Sequence, residues 1–196
     1  MPILRDKRKL LLTIPLGVAS SLGLSALVHL VLTAVGSPLQ EVYRNNFSSM
    51  LSLYSFPYGL LVYAVLMPCI EELLFRYILF DRLSSMIPRP TAAIASSFVF
   101  GIYHQNTVQL IYAFIMGLLL CFVYHRFGSI LASLFMHSGA NACACILGSF
   151  PAFDFLNSTL WQIVLMLLGL GSSGLIVFLL LPKESYKRIS RPKDTE

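Results

Sequence analysis

An all-helical bundle that crosses a membrane several times is the fold this sequence predicts, and three observations carry it. Apolar residues fill 57% of the 196 positions and charged residues only 12%, whereas soluble domains run at roughly half and a quarter. Mean hydropathy is +0.76. The charges gather at the two ends and in short polar turns, with apolar runs of span length between them. Lipid offers the backbone no hydrogen bonds, so each span must satisfy its own, and helices do so. The length suits one domain, taken as residues 1–196.

The formal net charge of +5 comes mostly from the ends. Arg5, Lys7, Arg8 and Lys9 precede the first apolar run, and Lys183, Lys187, Arg188, Arg191 and Lys193 follow the last. Charges so placed read as cytoplasmic anchors of spans. They do not read as a nucleic-acid surface, because no aromatic or glycine pattern accompanies them. A basic start followed by an apolar run also opens a signal peptide. Here the run 10–35 exceeds a signal-peptide core and ends without a small-x-small cleavage site, so it reads as a retained span.

A helical span needs about 20 residues. The first is 10–35, closed by Gly36-Ser37-Pro38. Residues 37–50 are polar enough for an exposed loop or a short surface helix. Residues 51–80 are apolar but contain Pro57 and Pro68, so they form either one long kinked span or two short ones. Asp81, Arg82, Pro88, Arg89 and Pro90 make a polar turn. Further spans are expected over 91–104, 108–124, 129–150 and 160–181. Both ends are basic, and an even number of spans puts both in the cytoplasm. The expectation is therefore about six spans, with seven possible if 51–80 divides. The same count places Arg82, Arg89 and Arg126 on the cytoplasmic side. The source reads as a prokaryotic cell membrane from the short chain and its basic ends.

Against this background the polar residues of Met67-Pro68-Cys69-Ile70-Glu71-Glu72-Leu73-Leu74-Phe75-Arg76 stand out. Ionisable groups at membrane depth are costly, so they pair, face the protein interior or do chemistry. Glu72 and Arg76 are four apart and share a helix face. Glu71 is turned about 100° from Glu72. Downstream, Phe100 and His104 are four apart, as are His137 and Asn141. Counted from the 81–90 turn, and from Ser129 on the same side, Glu71 lies roughly 15 Å deep, His104 roughly 20 Å, and His137 and Asn141 roughly 12 and 18 Å. Three spans thus bring a carboxylate, two imidazoles and an amide to similar depth.

More than one reading of this set stands at this point. Glu72–Arg76 serves equally well as an ion pair that fixes helix packing, and polar side chains often glue membrane helices together. As chemistry, a carboxylate and an imidazole can hold and deprotonate a water, while a second imidazole and an amide can stabilise an oxyanion. That is the outline of a peptide-bond hydrolase. Two histidines and a glutamate also suit zinc, but no His-Glu-x-x-His spacing is present. A proton-coupled transporter would use buried Glu and His too, yet there is no duplicated half. His29 and His125 read as packing and interfacial residues. The cysteines Cys69, Cys121, Cys143 and Cys145 read as small packing residues, with Cys69 a minor candidate nucleophile.

The ordered motifs Glu71-Glu72-x-x-x-Arg76, Phe100-x-x-x-His104 and His137-x-x-x-Asn141 resemble those of the type II CAAX prenyl endopeptidase family, also called ABI or CPBP, of intramembrane glutamate proteases. The similar stretch covers residues 67–145, and Phe75 and Gly128-Ser129 resemble the family as well. Tyr77 departs from it, since many members carry glycine after the arginine; the expected consequence is altered helix packing. The resemblance implies a helical bundle with a cavity open to lipid and cytoplasm. It implies that Glu71 and His104 activate water, that His137 and Asn141 form the oxyanion site, and that Glu72, Arg76 and Phe100 support them. No metal or other cofactor is implied. The implied partners are the bilayer and a membrane-associated peptide or protein, whether lipidated and CAAX-like or a bacteriocin or signal peptide. A membrane scaffold or bacteriocin-immunity protein is the alternative. Oligomeric state is not legible.

Overall fold

The computed structural model describes residues 7–181, all in helices or the turns between them. Arg5, Pro182 and the basic residues from Lys183 onward lie outside the described residues, as do the side chains of Lys7 and Arg8. Among the described residues, a one-turn helix, Lys7–Leu11, precedes seven longer helices: α1 (Thr13–Ala34), α2 (Leu39–Ser52), α3 (Phe56–Ser84), α4 (Arg89–Tyr103), α5 (Thr107–Phe127), α6 (Ile130–Ser149) and α7 (Thr159–Leu180), with a 3-10 turn, Pro151–Asn157, between the last two. The polar stretch after α1 is therefore a mostly exposed surface helix, α2.

Among the described residues, five helices are long and apolar enough to cross a membrane: α1 with the turn before it, α3, α5, α6 and α7. The protein is a polytopic helical membrane bundle. Residues 51–80 do not divide into two spans. Pro57 falls in the first turn of α3, where a missing N–H costs nothing, and the helix continues through Pro68 to Ser84. At 29 residues α3 is roughly 40 Å long, more than a hydrocarbon core of about 30 Å.

The expected span at 91–104 is present as α4, with only 15 residues, or about 22 Å. Its end has a local cause. Gln105 adopts a left-handed conformation at φ 53°, and Asn106 caps the next helix, its Oδ1 accepting from the Val108 and Gln109 N–H groups. The chain therefore reverses at His104-Gln105-Asn106, and α5 returns alongside α4. Non-helical backbone at membrane depth is tolerated where it is buried in protein or lines water.

Membrane helices gain no hydrophobic energy against lipid, so close approach of small residues holds them together. The α1–α6 and α1–α7 interfaces are built this way. A Cβ on Gly17 would overlap the Met136 carbonyl, and one on Gly139 would lie 2.8 Å from the Ile14 carbonyl oxygen. Gly23 meets Gly169 across the α1–α7 contact, where Ser20 and Ser173 hydrogen-bond at 3.0 Å. Leu16, Leu120, Met136 and Phe100 fill the buried core beside these contacts. Gly17→Ala is expected to destabilise the protein by about 1–3 kcal/mol through overpacking. Gly171→Ala, where an added Cβ meets nothing within 4 Å, should instead be neutral or stabilising by up to about 1 kcal/mol. Thermal unfolding of both variants in detergent checks the opposite signs.

Candidate active site

Helix α3 leaves regular α geometry twice, at Val62–Leu66 and at Leu73–Phe80, both wound as π-helix. Each wider turn changes the angular phase of the residues beyond it, and such segments recur at functional sites. Between them lies Met67–Glu72. Glu71 and Glu72 are both buried there, at 5% and 0% exposure, although neighbouring residues on a helix point about 100° apart. They converge because His137, from α6, sits between them. Its Nδ1 is 2.8 Å from Glu72 Oε1 and its Nε2 is 3.4 Å from Glu71 Oε2.

Arg76 completes the cluster. Its Nη1 lies 3.1 Å from the same Glu72 Oε1, with both side chains fully buried, and its Cζ sits 4.4 Å from the centre of the Phe100 ring. The spacing-based pairing of Glu72 with Arg76 is thus present, one helical turn apart. Phe100 does more than seat His104. Its ring meets His104 edge-on at 4.9 Å, His137 at 5.8 Å and Phe75 at 5.0 Å between centroids. The guanidinium therefore lies between a carboxylate and an aromatic face, an arrangement that stabilises a desolvated cation. Ser96 donates to the Phe75 carbonyl at 2.7 Å and ties α4 to α3 behind this cluster.

Hydrogen-bond roles are fixed by the groups that can only accept. His104 Nδ1 is 2.8 Å from the Phe100 carbonyl oxygen. A carbonyl cannot donate, so Nδ1 carries the proton, and the neutral ring keeps its lone pair on Nε2. Glu72 faces an arginine that stays charged, so His137 Nδ1 donates to it. His137 Nε2 and the Glu71 carboxyl lie 3.4 Å apart, an ion pair when the ring is protonated; in that ionic form, with Glu72 and Arg76, the formal charges cancel.

His104 and Asn141 are half-buried. The His104 ring lies within electrostatic reach of the Glu71 carboxyl. Asn141 is one turn beyond His137 on α6, and its Nδ2 donates to the Tyr63 carbonyl oxygen at 2.9 Å. Six of the seven residues singled out by spacing are thus linked by direct contacts, and Asn141 is held through the Tyr63 backbone. Spacing did not reveal Tyr63, whose backbone holds Asn141; the available signal was Pro68 five residues later. Among the described residues, no three of His, Cys, Asp and Glu converge as metal ligands do.

The family description "Type II CAAX prenyl endopeptidase Rce1-like" matches residues 53–143, from before the start of α3 to just past Asn141. This stretch of the chain, a little under half of it, is similar to that family. The curated "Putative membrane peptidase YdiL" of Bacillus subtilis (strain 168) is 30% identical over 114 residues, which is 58% of this chain and 47% of that protein. The chain thus spans about half the length of this relative. No solved structure matches. Within this Rce1-like segment, Tyr77 is 59% exposed on the outside of α3. The four cysteines are free thiols.

Proposed function

We propose that the protein is a metal-independent membrane endopeptidase in which Glu71 is the general base for water. The observation that carries this reading is the His137 ring placed between the Glu72 carboxylate at 2.8 Å and the Glu71 carboxyl at 3.4 Å, with half-buried His104 and Asn141 one helical turn from Phe100 and His137. In the ionic form of the cluster, the Glu71 carboxylate accepts a proton from water, and His104 Nε2 accepts its second hydrogen bond. The hydroxide adds to the scissile carbonyl. His137 Nε2–H and the Asn141 amide donate to the oxyanion that forms. The proton on Glu71 then passes to the leaving amine as the carbon–nitrogen bond breaks. Glu72, Arg76 and Phe100 hold the histidines in place.

The substrate class proposed is a membrane-associated peptide or protein, which includes lipidated, CAAX-like chains and bacteriocin or signal peptides. The chain acts as one domain, with residues 67–145 as its motif-bearing core, in a prokaryotic membrane with both ends cytoplasmic. Purified protein in liposomes, offered lipidated and unlipidated peptides with and without chelator, tests the reading. Cleavage that survives chelator and disappears in His104→Ala is the expected result. Cleavage abolished by chelator would move the same residues into a metal site. Absence of cleavage, together with full cellular function of Glu71→Ala, would favour a scaffold or immunity protein.

A further inference from the structure

Asn141 is positioned by a backbone defect in another helix. In an α-helix the Tyr63 carbonyl would accept from the N–H four residues on, that of Met67. Here the Met67 N–H goes to the Val62 carbonyl, five residues back, in the first π-wound segment of α3. A carbonyl in a π-turn would accept from the residue five on, which is position 68. Proline stands there and has no N–H. Both helical donors are therefore denied to the half-buried Tyr63 carbonyl, and a carbonyl left unpaired away from water is costly. The Asn141 side chain supplies the missing donor at 2.9 Å.

We propose that Pro68 is a positioning residue for Asn141: by withholding an N–H, it keeps the Tyr63 carbonyl available to fix the Asn141 amide. Pro68 is itself buried and lies three residues before Glu71, so one short segment sets both the carboxyl and the anchor of the amide. With one Nδ2 proton committed to Tyr63, the other has a defined direction. An amide held this way loses little freedom when it meets an oxyanion, and preorganised donors of this kind act on the transition state more than on ground-state binding. The effect on rate rests on the peptidase reading above; the anchoring itself does not.

Two substitutions separate the missing N–H from the shape of the ring. Pro68→Ala restores an N–H. Lactic acid at position 68 has the same methyl group as alanine but an ester oxygen in place of the N–H. The first readout is the Asn141 side-chain amide in an NMR spectrum of the full chain in detergent, assigned with Asn141→Ala. Pro68→Ala is expected to shift that signal and speed its solvent exchange, and the lactic acid variant to return it to the wild-type position. Pro57→Ala, in the first turn of α3, should leave it unchanged. The second readout is hydrolysis of whichever peptide the wild type cleaves. Pro68→Ala should lose about fivefold in kcat with KM changed less than about twofold, and the lactic acid variant should recover the rate. An unmoved Asn141 signal in Pro68→Ala overturns the proposal, as does a lactic acid variant that behaves like alanine. A shifted and rescued amide without any peptide cleavage upholds the anchoring and counts against the peptidase reading alone.

Discussion

Glu71→Gln is expected to lower peptide hydrolysis by about a thousandfold while leaving the protein folded. The carboxyl is the one group of the cluster that can both take a proton from water and exchange it with His137 Nε2, 3.4 Å away. A positioned general base contributes about 10²–10⁴ in rate. The glutamine amide keeps the volume and can still face the imidazole, so packing around the site is preserved. Thermal unfolding in detergent should therefore move by less than about 1 kcal/mol, while kcat falls and KM changes little. Single-turnover cleavage in liposomes, with folding checked on the same preparation, measures both. A variant that keeps more than about a tenth of the wild-type kcat would remove Glu71 from the role of base and leave the reaction to His104 or His137.

Arg76→Ala should have the largest effect on stability. Arg76 and Glu72 are both fully buried, and the carboxylate has Arg76 on one side and His137 on the other. Removing one partner of a buried ion pair strands the other charge, which typically costs about 3–5 kcal/mol. Lost contact of the guanidinium with the Phe100 ring, 4.4 Å away, adds to the cost. Replacing both partners is expected to be milder. The pair Glu72→Gln with Arg76→Met leaves no stranded charge and keeps an amide for His137 Nδ1 to donate to. Denaturation of the two single variants and the double variant closes a thermodynamic cycle. A double variant as unstable as the sum of the singles would mean that the two charges do not act as a pair.

The contrast between these two glutamates marks how far a residue pattern reaches. The class of fold follows from composition and run length, because lipid admits helices or closed barrels and continuous apolar runs of about 20 residues suit helices. Contacts within one helix are set by its period: Glu72 with Arg76 at i+4, and the Phe100 carbonyl with the His104 ring at i+4, are both present. The similar depth of Glu71, His104, His137 and Asn141 comes from the rise per residue along neighbouring helices.

Partners across helices were not legible, and the reason is angular. Depth along an axis is additive, but a side chain's direction around the axis depends on every turn before it. The π-wound segments Val62–Leu66 and Leu73–Phe80 each reset that direction within α3, and nothing in hydropathy marks where they begin. Only the tertiary structure decided that one imidazole lies between Glu71 and Glu72, that Phe100 covers Arg76 as well as touching both histidines, and that α4 stops at Tyr103. The sequence by itself determined a helical membrane bundle carrying acids, histidines and an amide at one depth. The packing of α6 against a locally rewound α3 brought Glu71, Glu72, Arg76 and His137 into a single cluster, because rotation about a helix axis is set by neighbouring helices and not by the residue pattern.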